Sequence, residues 1–210
     1  MNVNVSATAT IASMGSPRFR KMTTAPVPQR PEVFTSFPKA YVTIRKIGGV
    51  VIIIRSIEPE DEPLLFEFHK TLSDYSVHFR YFGAVSLRQR TMHERLRRHC
   101  VLDHTREFAL VADYAESNRH HQILGVGRLF KEPGCDEAEF ALLISDSWQG
   151  RGLGTALLRL LVAVGRQSHL RRIIGHILPD NTAMRHVSKK VGFKLRFDFD
   201  VCEWLAEINL

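Results

Sequence analysis

The chain has 210 residues, 44% of them hydrophobic and 24% charged, which is enough apolar material for one core of ordinary size. No apolar run approaches the ~18 residues of a membrane span, and the longest, Val50 to Ile54, is strand-sized. The formal charge of +7 sits at the start: residues 1–49 carry seven basic side chains (Arg18, Arg20, Lys21, Arg30, Lys39, Arg45, Lys46) against Glu32, while the rest carries 22 basic and 21 acidic groups. A nearly neutral body with no zinc-finger spacing and no RNA-binding aromatic signature gives no ground for specific nucleic-acid recognition.

Residues 1–40, rich in Ser, Thr, Ala and Pro with little periodic hydrophobicity, are expected to form a disordered basic tail. It lacks the continuous apolar segment of a secretory signal, so the cytoplasm is the expected compartment; a transit peptide, or a later start at Met14 or Met22, stays open. Residues 41–210 are expected to form the folded domain.

Tyr41–Ile47, Gly48-Gly49 and Val50–Ile57 predict two strands joined by a tight turn. Acids at Glu58, Glu60, Asp61 and Glu62 suit the positive end of a helix dipole, so a helix is predicted from Glu60 to about Thr71. Ser73–Phe82 is expected to connect, and Leu87–Cys100 to be a second, heavily charged helix. Strands are predicted at Glu107–Tyr114 and Ile123–Phe130 around a solvated loop holding His120 and His121. Further strands follow at Glu137–Ile144, Arg171–Leu178, Phe193–Phe199 and Val201–Ile208, with helices at Thr155–Gln167 and Asn181–Val191, the latter stopped by Gly192. The order predicts one mixed α/β fold, a mostly antiparallel sheet flanked by helices. Cys100, Cys135 and Cys202 are too scattered for a disulfide framework or metal-ligand spacing, so reduced packing thiols and no metal are expected.

The segment Ser147-Trp148-Gln149-Gly150-Arg151-Gly152-Leu153-Gly154-Thr155 lies between a predicted strand and a helix. Three glycines in five residues let peptide N–H groups point outward at a helix N-terminus, an arrangement that binds phosphate oxygens. No Gly-Lys-Ser/Thr follows, and the spacing is G-x-G-x-G, so neither a P-loop nor a dinucleotide fingerprint is present.

Gln149-x-x-Gly152-x-Gly154 resembles the Q/R-x-x-G-x-G/A signature of the GNAT superfamily of acyl-CoA-dependent N-acetyltransferases. Leu178-Pro179-Asp180-Asn181-Thr182, followed by Lys190-Val191-Gly192-Phe193, resembles that family's second signature. Ile54–Glu62, Phe79–Phe82 and Ala138–Leu143 are similar to one branch, the bacterial protein lysine acetyltransferases whose GNAT domain is often fused to an acyl-CoA synthetase-like module. The resemblance runs from about Tyr41 to the C-terminus. It implies the acyl-CoA N-acyltransferase fold, acetyl-CoA as co-substrate, and an acceptor amine, foremost a protein lysine; a homodimer stays open. It places Gln149, Gly150, Arg151, Gly152, Leu153, Gly154 and Thr155 at the diphosphate of coenzyme A, and Leu142, Leu143 and Ile144 along its pantetheine arm. Asn181 would bond near that arm, although an asparagine there also caps a helix.

Acetyl transfer needs the amine to lose a proton. Strand alternation puts Glu137, Glu139, Ala141 and Leu143 on one face, and the branch uses a glutamate of this strand as base, so Glu139 is the candidate, with Glu137 as competitor. Arg80, Tyr81 and Phe82 would lie on the acceptor side, where ordinary packing is an equal reading. Many family members carry a tyrosine four residues before the glycine of K-x-G-F to protonate the departing thiolate; here Ser188 stands there. That departure keeps open a non-catalytic acyl-CoA sensor beside the transferase, and a small amine or amino acid beside the protein lysine.

Overall fold

The computed structural model describes residues 36–117, 120–132 and 134–210. The expected tail lies outside the described residues as far as position 35. Its end needs correction: Phe37 is 2% exposed, its ring lies 5.9 Å from that of Phe108, and its N–H donates to the His104 carbonyl. One phenyl ring anchors a segment whose average composition is that of a tail.

Strands β1 (Val42–Ile47) and β2 (Val50–Ser56) form the expected hairpin around Gly48-Gly49. A 3-10 turn, Pro59–Asp61, leads into α1 (Glu62–Lys70). The segment expected to connect is instead a helix, α2 (Asp74–Tyr81). Its apolar face is short, with Val77 buried, but the Ser73 hydroxyl accepts from the Ser76 N–H and caps it. The single helix expected over Leu87–Cys100 is two, α3 (Leu87–Arg90) and α4 (His93–Cys100). The Thr91 hydroxyl bonds back to the Leu87 carbonyl and Met92 is extended, so the chain restarts there.

Strands β3 (Glu107–Ser117) and β4 (His120–Lys131) run on through most of the segment expected to be a loop. His121 belongs to β4, and its Nδ1 lies 2.9 Å from an oxygen of buried Asp113. Then come β5 (Glu137–Ile144), α5 (Leu153–Gln167), β6 (Arg172–Ile177), α6 (Thr182–Val191), β7 (Lys194–Asp198) and β8 (Glu203–Asn209).

The sheet has the order β1-β2-β3-β4-β5-β6-β8-β7, antiparallel throughout except for β5 beside β6, which α5 connects. Helices cover both faces, as the sequence predicts. On one face Leu157, Leu158, Leu161 and Val164 of α5 pack on Ile52, Leu110, Phe140 and Ile173. On the other, Leu65, Phe68, Val77 and Leu96 pack on Ala109, Val111, Val126 and Leu143. Each such side chain contributes roughly 1.5–3 kcal/mol of burial. Alternation along β5 therefore sends Phe140 to the α5 face and Leu143 to the α1–α4 face, and Glu139 lies with Leu143. Among the described residues no helix is long and apolar enough to cross a membrane.

Candidate active site

Strands β5 and β6 pair at Glu137–Arg172, Ala138–Ile173 and Glu139–Ile174, and then part. From Phe140 to Ile144, β5 stays paired with β4 alone, so one backbone edge of Leu142, Leu143 and Ile144 faces the gap without a ladder partner. On the α5 face Phe140 closes the gap, its ring seated so tightly on Gly175 that a Cβ there would lie 2.3 Å from it.

The gap opens onto the glycine turn. Gly150 and Gly152 have φ of 72° and 90°, left-handed values that suit glycine, and nothing lies within 4 Å of where their side chains would be. Gly152 caps α5, whose first peptide N–H groups have no intrahelical acceptor. Arg151 is exposed, with its guanidinium 5.0 Å from the Trp148 ring and its stem against Gly48 of the β1–β2 turn. The side chains of Leu153 and Thr155, 1% and 7% exposed, are core, so only their backbone belongs to the turn. Gln149 does not present its amide outward. Its Nε2 donates to the Ser76 hydroxyl (2.9 Å), the Ile144 carbonyl and Asp146, and Asp146 also accepts from the Ser76 hydroxyl and the Ser73 N–H. Gln149 thus ties the start of α2 to the turn, a role its motif position does not reveal.

Glu139 stands where the strands separate. Its Oε2 is buried with no hydrogen-bond partner. Burial pushes its carboxyl above the usual range, opposed by nearby His176 and Arg80 and helped by Glu203. His176, for which the sequence suggests no partner, has Nδ1 3.3 Å from a Glu203 oxygen. Glu137, the competitor, accepts from Arg171 and, at 2.6 Å, from Arg172; two guanidiniums commit its oxygens.

Asn181 caps α6, its Oδ1 accepting from the Met184 N–H at 3.0 Å, so its side chain has the capping role. Ser188 is fully buried and its hydroxyl has no partner, which gives it no route for a proton to solvent. Arg80 and Tyr81, at the end of α2, line a cavity between α1, α2, α4 and the β4–β5 pair; Phe82 ends the helix with φ 58° and is 38% exposed. The Tyr81 ring has guanidiniums of Arg80 and Arg95 at 5.2 and 5.0 Å. Arg128, 5% exposed on β4 and carrying no motif that sequence reasoning could single out, lines the same cavity. Arg55, by contrast, is clamped by Asp61 (2.7 Å) and Asp113 (3.0 Å), a closed ion network that fixes the start of α1 to the sheet. No group of three or more His, Cys, Asp or Glu that could hold a metal occurs among the described residues.

The candidate site is thus a parallel strand pair that opens beside a buried carboxylate, next to a left-handed glycine turn heading the crossover helix. The comparisons name the class. The model of the acetyltransferase (GNAT) domain matches residues 52–194, so the chain belongs to the GNAT acetyltransferase family. It is 29% identical over 147 residues to acetyltransferase PA5475 of Pseudomonas aeruginosa, covering 69% of this chain and 76% of that protein. Among solved structures, the GNAT domain of PAT from S. lividans is 25% identical with a TM-score of 0.72, over 80% of this chain and 97% of that one. Mycobacterium smegmatis RimJ, solved with CoA-disulfide, shares the fold at 18% identity and a TM-score of 0.63, over 82% and 88% of the two chains.

Proposed function

We propose that this chain is an N-acetyltransferase that moves an acetyl group from acetyl-CoA to an amine, foremost a protein lysine side chain, by direct attack with Glu139 as general base. The observation that carries this reading is the parting of β5 from β6 immediately after Glu139, opening onto the glycine turn. The RimJ neighbour solved with CoA-disulfide supports the donor, and the branch resemblance supports the lysine.

Acetyl-CoA supplies a thioester carbonyl and a thiolate leaving group. The unpaired edge of Leu142–Ile144 offers N–H and C=O groups to a pantetheine arm, which is itself built of amides. The peptide N–H groups of Arg151, Gly152, Leu153, Gly154 and Thr155, with the Arg151 guanidinium, face a diphosphate. The Gln149 side chain, engaged with Ser76, holds the turn in shape rather than touching the donor. Glu139, its affinity for a proton raised by burial, takes one from the acceptor ammonium at Oε2, the oxygen without another partner. Ser188, enclosed and unpartnered, is not placed to protonate the thiolate, which leaves that proton to solvent or to the protonated nitrogen of the tetrahedral adduct as it collapses to the amide.

The test mixes the protein with acetyl-CoA and either a denatured-proteome lysine peptide pool or small amines, and follows free thiol. Thiol release with the peptide pool is the expected result. Release with small amines only moves the acceptor to that class. Saturable coenzyme A binding without thiol from any amine overturns the enzyme in favour of a sensor.

A further inference from the structure

The cavity between α1, α2, α4 and the β4–β5 pair is lined by Leu65, Phe68, His69, Arg80, Tyr81, His99, Val126, Arg128 and Leu143. Its charged groups are all cationic or titrate to cations. Arg128 is 5% exposed and donates to the His99 carbonyl. Among the described residues no carboxylate forms an ion pair with Arg80, Arg90, Arg95 or Arg128, Glu107 acting on Arg128 only from a distance, whereas Arg55, Arg171 and Arg172 all have acidic partners. Arg90, 3% exposed, leaves Nε and Nη1 unbonded; Arg95 leaves Nε unbonded, and His69, 5% exposed, leaves Nδ1 unbonded.

A buried guanidinium without an acidic partner is costly, because desolvation is not repaid. Burial, then the positive field of Arg80, lowers Arg128 to about 10 against the pull of Glu107, and burial followed by the surrounding arginines holds His69 and His99 at about 4 and about 2. A protein tolerates such a cluster where an anion completes it.

We propose that this cavity is a subsite for a carboxylate carried by one of the two substrates, with the Arg128 guanidinium as its principal partner and Arg80 and His69 around it. The inference rests on the transferase reading for what the carboxylate belongs to, and on the cavity alone for the binding. Size favours a carboxylate over a phosphate: the half-open cavity holds about 30 Å³, room for roughly two or three water-sized groups. Position favours a substrate over a stray ion. Leu143, one wall of the cavity, belongs to the unpaired edge of β5. Arg80, another wall, lies near enough to Glu139 to act on its charge. The carboxylate is therefore either a second group on the acceptor amine or the far end of a dicarboxylic acyl chain.

The experiment has two arms on the full chain. In the first, melting temperature is read against acetate and succinate at constant ionic strength, with chloride as the reference. Both carboxylates stabilise the native chain by several degrees; Arg128→Met abolishes the effect. Equal stabilisation of native and variant protein, or none of the native protein, overturns the subsite. Should Arg128→Met fail to fold, Arg80→Gln is read the same way. In the second arm, thiol release is compared for acetyl-CoA and succinyl-CoA, and for amines with and without a carboxylate. A preference that Arg128→Met lowers by about tenfold or more places the carboxylate on the donor or on the acceptor, whichever comparison moves. A preference for neither that the variant alters overturns the substrate role. Absence of thiol in every combination fails the transferase reading alone, and the melting arm still decides the subsite.

Discussion

The two halves of this site are made of different material. The half proposed for the donor is backbone: an unpaired strand edge and a glycine turn heading α5. The half beside it is side chains: Arg80, Tyr81, His69, His99 and Arg128, brought from three helices and β4 into one cavity. A backbone site announces itself locally, because glycine spacing reports the conformation the chain must adopt. A side-chain site assembled across some 60 positions of sequence does not.

Glu139 joins the two halves, and its replacement is the severest break. Glu139→Gln is expected to lose 10²- to 10⁴-fold in turnover while coenzyme A affinity measured by calorimetry is kept. Equal activity would remove Glu139 from the mechanism. Because burial raises its pKa, the acid limb of the rate profile should lie above the ordinary glutamate range, with activity rising as pH rises through it.

Gly175→Ala tests the hinge of the gap. A methyl group 2.3 Å from the Phe140 ring forces one of them to move, and a loss of about 1–3 kcal/mol is expected in chemical denaturation. A neutral result would mean that Phe140 does not hold the strands apart. Gly152→Ala attacks the donor half alone. An αL conformation costs a side-chain-bearing residue about 1–2 kcal/mol, so coenzyme A affinity should fall several-fold or more. Unchanged calorimetry would place the diphosphate elsewhere.

His69→Gln probes the side-chain half through pH. The folded chain holds His69 at about 4, below its ordinary 6.5, chiefly by burial and then by the surrounding arginines. Between pH 6.5 and 4 the unfolded chain takes up a proton that the folded one refuses. Stability therefore falls as pH falls through that window, by at most about 1.4 kcal/mol per pH unit. The variant should show a shallower acid slope in denaturant titrations; an identical slope would mean that His69 is not held neutral. The smallest effect is expected from Ser76→Ala, which cuts the tie between Gln149, Asp146 and α2. A loss of about 0.5–1.5 kcal/mol and a raised KM for the acceptor would show that the donor turn positions the acceptor helix.

Much of the fold was legible because burial imposes period on sequence. The leucines of α5 and the alternation in β5 announce their elements without help. Helix α2 was not legible, since it buries little more than Val77 and its cap serine looks like any loop serine. The break at Thr91-Met92 was hidden for the opposite reason: the charged run reads as helix on either side, and one back-bonded hydroxyl interrupts it. Within the proposed site, the glycines of the turn and, with Glu137 as competitor, the carboxylate of Glu139 are candidates that the sequence names. The inward engagement of Gln149 and the capping use of Asn181 needed the neighbours Ser76 and Met184.

By itself the sequence determined a mixed sheet layered by helices, a phosphate-suited turn between the fifth strand and its helix, and a glutamate two residues into that strand on the face opposite Phe140. These follow from local periods and from the conformations open only to glycine. Tertiary structure decided that β6 leaves β5 at that glutamate, that Glu137 is occupied by two arginines, and that Arg128 is buried with no ion-pair partner among the described residues. Each is a relation between residues distant in the chain, and charge and hydrogen bonding act through space, where sequence spacing carries no distance.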